Sequence, residues 1–221
     1  KYFLVHILHM GTYKEKFMDF LLETGALKVG GDFQLKSKRL SPYFINIGDF
    51  NDSVSTSRLG EAYAEAIKNS EVDFDLLYGI PEKGVGLAIA TSIGLGKVDM
   101  NKPWFFTRKM PKEYGEATNL TKAERRKALV VGRAPKDGER VVPVDDVFTT
   151  GDAKYEALNT LNGLADSLQY PALAIAVDRQ EVGIDGKSAM EEFERKTGTH
   201  VISIVNASEI YEYLSTAKED I

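Results

Sequence analysis

Residues 141–152, VVPVDDVFTTGD, put an apolar strand, two adjacent carboxylates and a Thr-Thr-Gly loop in immediate succession, and a helical pattern follows over 152–165. The strand, read over residues 140–144, is short and apolar after Arg140, as a strand buried on both faces requires. Asp145 and Asp146 fall where that strand ends. Backbone amides at a helix N-terminus, helped by the hydroxyls of Thr149 and Thr150 and by close approach at Gly151, can cradle a phosphate group. Paired acids beside such a cradle suit the two hydroxyls of a ribose, or a magnesium ion with its waters. An ordinary N-capped helix after a strand is the plainer reading of Thr-Gly-Asp alone; the whole succession favours a ligand site. Pro143 stands against the pattern, because a proline inside a central strand removes a ladder donor.

The same rhythm recurs on both sides. Upstream lie a strand at 75–79 (DLLYG), a small-residue helix at 85–93 (VGLAIATSI) and a strand at 103–107 (PWFFT). Downstream lie a strand at 172–177 (ALAIAV), a helix at 187–197, a strand at 201–205 (VISIV) and a helical tail over 207–217. Nearer the N-terminus, Phe17, Met18, Phe20 and Leu21 fall at helical spacing over 13–23, with Gly25 as a stop. Apolar stretches near 33–35 and 43–47 flank the basic segment 36–39. A second helix over 57–69 carries its stripe on Leu59, Tyr63, Ala66 and Ile67. Short apolar strands alternating with helices predict an α/β fold, a central parallel sheet flanked by helices on both faces. Such sheets bind ligands beyond the carboxyl ends of their strands.

With 221 residues, 43% apolar and 28% charged, the chain suffices for one domain with a sizeable core, expected over 13–221. Residues 1–12 are expected to be an extension outside it. Their apolar run is too short to span a bilayer, is interrupted by His6 and His9, and is followed by no small-residue cleavage site. Met10 is a candidate start. The absence of cysteine excludes disulfides, thiolate metal sites and a cysteine nucleophile, and fits a reducing, cytoplasmic setting. A net charge of −5 argues against nucleic acid as a partner, and no segment suits a membrane. An anionic ligand must then be held by local features. One stands out: residues 108–127 hold seven basic residues (Arg108, Lys109, Lys112, Lys122, Arg125, Arg126 and Lys127) against three acids. An isolated basic run is ordinarily a solvated surface; a stretch of this length after a strand end reads as a flexible lid loop.

The 141–152 segment resembles the phosphoribosyl-diphosphate-binding motif of type I phosphoribosyltransferases, and the likeness runs in order from about residue 13. Leu35-Lys36-Ser37, Arg39 and Ser41-Pro42-Tyr43-Phe44 resemble the N-terminal signature of orotate phosphoribosyltransferases. So do Phe74-Asp75-Leu76-Leu77, Glu82-Lys83-Gly84, Arg108-Lys109 with Lys112, Gly115-Glu116, and Asp178-Arg179-Gln180-Glu181. The resemblance implies the type I fold with a small N-terminal hood over about 13–50. It also implies magnesium-dependent transfer of ribose 5-phosphate from phosphoribosyl diphosphate (PRPP) to orotate in pyrimidine biosynthesis. Asp145 and Asp146 would hold the ribose hydroxyls, Thr149, Thr150, Gly151, Asp152 and Ala153 would wrap the 5-phosphate, and Val147 and Phe148 would belong to the same PRPP site. Lys36 and Lys83, with Glu82 beside it, would lie at the diphosphate. Phe44 would stack on the base, with Ile45, Lys36 and Thr149 near it, and Arg179 would take the orotate carboxylate. Lys109 would stabilise the leaving group within its own subunit. Arg108 and Lys112, with Tyr114 close by, would reach a neighbouring site, so the resemblance implies a homodimer that shares its lids. It implies no strong side-chain ligand for magnesium, which PRPP and water would hold near Asp145 and Asp146.

Four positions depart from the family pattern. Tyr114 replaces a histidine, Asp152 a threonine, Ile45 a second aromatic, and Glu82 a tyrosine found in many relatives. Transfer to another base, or a ligand-sensing protein of the same fold without catalysis, are the alternatives. Arg179 favours an acceptor that carries a carboxylate, since a guanidinium matches that group with two parallel hydrogen bonds. Breaking the bond between ribose C1 and diphosphate leaves an oxocarbenium-like centre that water would capture. The chemistry therefore calls for water exclusion and charge neutralisation and for no nucleophilic residue.

Overall fold

The structure, a computed structural model, describes residues 12–34, 40–108, 121–181, 186 and 188–219. In chain order the elements are α1 (Tyr13–Glu23), β1 (Leu27–Gln34), β2 (Leu40–Ile45), a 3-10 turn (Ile47–Asp49), α2 (Ser53–Asn69), β3 (Leu76–Gly79), α3 (Lys83–Lys97) and β4 (Trp104–Thr107). Then come α4 (Lys122–Leu129), β5 (Val130–Gly132), β6 (Val141–Phe148), α5 (Asp152–Asn162), β7 (Ala172–Asp178), α6 (Ala189–Thr197), β8 (His200–Asn206) and α7 (Ala207–Glu219). The central sheet has the order β5-β4-β3-β6-β7-β8. It is parallel except at its edge, where β5 runs antiparallel to β4.

Helices cover both faces, and β7 shows how the strands divide between them. Ala172, Ala174 and Ala176 join the core formed with α1, α2 and α3, while Leu173 and Ile175 join the core formed with α5 and α6. Each large aliphatic side chain so buried contributes about 1.5–3 kcal/mol. Alanines on the first face let α2 lie close, and Tyr63 of α2 donates to Asp145 O at 2.7 Å. Phe17, Met18, Phe20 and Leu21 of α1, with Leu27 and Ile45, belong to this core too. The expected hood is therefore joined to the main domain, and only the antiparallel β1–β2 pair forms a separate sheet.

Several boundaries differ from the expectation for physical reasons. α2 begins at Ser53, four residues earlier than its apolar stripe suggests, because Asp52 and Ser55 form a capping box. Residues 122–127, assigned to the lid from their charge, lie in helix α4: Thr121 and Glu124 cap it, and Lys122 and Arg126 pair with Asp166 and Asp137. These two cations are thus engaged in holding α4 to the domain, and the rest of the expected lid, 109–120, lies outside the described residues.

β6 extends to Phe148, so both carboxylates lie inside the strand. Pro143 is accommodated by an irregularity. Val141 N donates to Gln169 O at 2.8 Å, and Ile80 N donates to Val144 O at 3.1 Å, so the N–H that Pro143 lacks would face β7. There the pairing slips by one residue, from the Arg140–Gln169 bridge to the Val144–Ala174 pair. The proline occupies that slip, where a donor would have no regular partner. No helix among the described residues is long and apolar enough to cross a membrane.

Candidate active site

The carboxyl ends of β3, β6 and β7 lie side by side, and helices α3 and α5 start beyond the first two. Helices α1, α2, α4 and α6 have their first amides capped by Thr12, Asp52, Thr121 and Ser188. α7 has the same service from Asn206, whose side chain accepts from Glu209 N at 2.9 Å. Among the described residues, only α3 and α5 begin without a side-chain cap. Their first-turn amides, left without a side-chain cap, and the positive end of each helix dipole point to the same end of the sheet. α3 is brought there by Gly84, where an added Cβ would sit 2.2 Å from Val144 O. α5 starts at Gly151, whose φ of 84° belongs to the left-handed region.

The two carboxylates of β6 face opposite sides of the strand, and a lysine from a helix start meets each. Lys83, the first residue of α3, donates to Asp146 Oδ2 at 2.6 Å, and Asp146 Oδ1 accepts from Val147 N at 2.8 Å. Lys83 is 62% exposed along its side chain, so its ammonium can leave this partner for an incoming anion. On the other side Lys154, on the first turn of α5, donates to Asp145 Oδ2 at 2.6 Å, and Asp145 Oδ1 accepts from Asp146 N at 3.0 Å. This second pair is buried. Burial pushes the Asp145 carboxyl up from its ordinary value, and the Lys154 charge opposes the shift. Removing one member of such a pair costs about 3–5 kcal/mol, because the other charge stays buried and alone.

Between strand and helix, Thr149 and Thr150 are accessible, and Thr150 Oγ1 donates to Asp152 Oδ2 at 2.7 Å. Asp152 is exposed on the first turn of α5, where the helix dipole favours its charge. The Phe148 side chain is no part of the cradle: it lies in the α5–α6 core against Phe193 at 5.5 Å, leaving only its backbone for a ligand.

The adjacent strand end supplies the arginine. Phe148 pairs with Asp178, so Thr149 and Arg179 each follow directly on paired residues. The Arg179 side chain is buried, and its Nε lies 3.0 Å from Glu181 Oε1 without hydrogen-bond alignment. Its Nη2 is buried with no hydrogen-bond partner among the described residues, as expected of a fork that awaits an acceptor. The Tyr43 ring of the β1–β2 sheet lies 5.6 Å from the guanidinium carbon, so this small sheet reaches the end of β7. Gln180 braces the turn, accepting from Ser208 N at 2.9 Å.

The other expected residues are distributed unevenly. Phe44 stacks on Phe33 at 5.9 Å within the β1–β2 sheet. Ile45, expected near the base, points into the main core and is not available to a ligand. Arg108 donates to Val130 O at 3.5 Å, toward β5. Lys36, Lys109, Lys112 and Tyr114 lie outside the described residues. Sequence reasoning missed three contributors: Lys154, Tyr43 as the ring beside Arg179, and Glu181 as its counter-charge. A lysine among the apolar positions of α5 was the available signal for the first.

The fold and this site place the protein among the type I phosphoribosyltransferases. No protein-family model matches the chain. It is 39% identical over 211 residues to the orotate phosphoribosyltransferase of Ruthia magnifica subsp. Calyptogena magnifica, covering 95% of this chain and 92% of that one. It is 41% identical over 206 residues to that of Thioalkalivibrio sulfidiphilus, covering 93% and 90%. Among solved structures, the orotate phosphoribosyltransferase of Francisella tularensis superposes with a TM-score of 0.76 at 32% identity, over 91% of this chain and 90% of that one. The chain belongs to the orotate phosphoribosyltransferase family.

Proposed function

We propose that this chain transfers the ribose 5-phosphate of PRPP to orotate, giving orotidine 5′-monophosphate and diphosphate in pyrimidine biosynthesis. The observation that carries the proposal is Arg179 Nη2, buried and without a hydrogen-bond partner among the described residues, one residue beyond the strand that borders the uncapped start of α5. A phosphate on the α5 amides and a carboxylate on Arg179 would bracket a ribose lying across Asp145 and Asp146. Lys83 would exchange Asp146 for the diphosphate, and the freed carboxylate would take a ribose hydroxyl. Phe44 would lie on the base. As the C1–diphosphate bond lengthens, Lys83 and Lys109 would receive the departing charge, and the lid expected from the sequence would exclude water.

Magnesium, when bound, neutralises diphosphate charge. The residues present would fit an ion delivered with the substrate, since all four oxygens of Asp145 and Asp146 already accept hydrogen bonds. A homodimer in a cytoplasmic setting belongs to the same reading. α3 offers a low-relief face for a second copy, with Ile93 58% exposed and open space at Gly86 and Gly96. The test is the loss of orotate's ultraviolet absorbance on mixing purified protein, PRPP and magnesium. No change at micromolar protein, or equal competition by uracil or hypoxanthine, refutes the assignment.

A further inference from the structure

Lys154 is the one buried lysine among the described residues, 6% exposed, and the reaction argued above leaves it without a role. Its ammonium makes two hydrogen bonds, to Asp145 Oδ2 at 2.6 Å and to Val147 O at 2.8 Å, and lies 5.7 Å from the Phe148 ring centroid. Phe148 is itself fixed against Phe193. The ammonium is thus held between the strand that carries the carboxylates and the helix that opens the phosphate cradle. Asp145 is held at three points in turn: Oδ1 accepts from Asp146 N, Oδ2 from Lys154, and its carbonyl from Tyr63. An apolar side chain of similar length would pack on Phe148 equally well and avoid the desolvation of an ammonium. Space filling alone therefore does not account for a lysine here.

We propose that Lys154 is a positioning residue for PRPP: anchored on the Val147 carbonyl, it fixes the Asp145 carboxylate in one orientation for the ribose hydroxyls. The proposal rests on the assignment of Asp145 to the ribose. Asp146, by contrast, is held by a lysine that is largely exposed and can exchange partners. The pair thus consists of one preset acid and one that is released on binding. Orotate, which would meet Arg179 and Phe44, lies outside Lys154's reach in this arrangement.

Three variants test it: Asp145→Asn, Lys154→Met and the double variant, each measured for the KM of both substrates and for thermal unfolding. Asp145→Asn is expected to raise the PRPP KM about tenfold or more, the order for one misplaced charge-assisted contact. Lys154→Met is expected to raise it comparably while leaving the orotate KM unchanged. In the Asp145→Asn background Lys154→Met should add nothing, since it acts through that carboxylate. A folded Lys154→Met protein with the parental PRPP KM overturns the proposal, as do equal losses for both substrates or additive effects in the double variant. Should Lys154→Met not fold, the double variant, which buries no unpaired charge, is compared with Asp145→Asn alone. Equal PRPP KM values support the proposal, and a further rise overturns it. A parental PRPP KM in Asp145→Asn overturns the ribose assignment itself, which separates that failure from the failure of Lys154 alone.

Discussion

Replacing Arg179 with methionine removes a charge from a place where water cannot substitute for it. The residue is 8% exposed, so the small values typical of surface ion pairs do not apply. Two separable losses follow. The orotate carboxylate loses its fork, and a hydrogen bond to a charged group is worth about 1.5–3 kcal/mol, or roughly 10- to 150-fold in the orotate KM. Glu181, 3.0 Å from Nε and itself mostly buried, loses its counter-charge, which costs about 3–5 kcal/mol in folding stability. Arg179→Lys keeps the charge beside Glu181 but not the planar fork, so its stability should stay near the parent's while the orotate KM rises about tenfold. Initial rates from orotate absorbance at saturating PRPP give the KM, and urea unfolding gives the stability. The reasoning fails if Arg179→Met leaves the orotate KM unchanged, or if the PRPP KM rises in parallel with it.

Asp152→Asn keeps an oxygen for the Thr150 hydroxyl but removes the negative charge from the cradle; the PRPP KM should fall about two- to fivefold while the helix loses about 0.3–1 kcal/mol of dipole stabilisation, and steady-state kinetics with thermal unfolding read both. Gly84→Ala would put a Cβ 2.2 Å from Val144 O, forcing α3 outward; a loss of about 1–3 kcal/mol is expected, with a raised PRPP KM as Lys83 moves from Asp146, and an unchanged melting temperature would refute it. At the opposite end of the sheet, Arg140 donates to both oxygens of Asp75 and holds its carboxyl at about 2, below the ordinary 3.8. A depressed folded-state value means stability present above about pH 4 and lost as the pH falls toward 2. Asp75→Asn should therefore lower stability at neutral pH and flatten that acid loss, as urea unfolding from pH 2 to 5 would report.

The order of strands and helices was legible because burial on both faces leaves unmistakable runs, such as ALAIAV, and because amphipathic helices such as α2 declare a stripe. What escaped the sequence was held by polar contacts. α4 is charged nearly all round, with Ala128 alone buried, and its stability comes from the Thr121 cap and from partners at Asp137 and Asp166. Those acids are distant in sequence, so the pattern read as a loop. β5 is three residues of antiparallel edge, too short to carry a period. Ile45 went astray for the opposite reason: alternation along β2 turns it into the core, with Tyr43 packed against that core on the same side and Phe44 on the other.

The end of β6 is the instructive miss. Hydropathy stops that strand at Val144, since an acid in a strand buried on both faces is costly and two in a row more so. The structure continues it through both. Each carboxylate is matched by a lysine from the first turn of a different helix, Lys83 on one side and Lys154 on the other. The same segment tolerates Pro143 by slipping its register against β7, and opens α5 on a glycine without a side-chain cap. Three local rules are broken within a dozen residues, each with its compensation supplied from elsewhere in the chain, which is where a binding site is expected. The family motif could locate this segment from sequence. It could not reveal that Asp145 is fixed and Asp146 exchangeable, because that difference lies in the burial of their lysines, which only the packing of α3 and α5 against β6 decides.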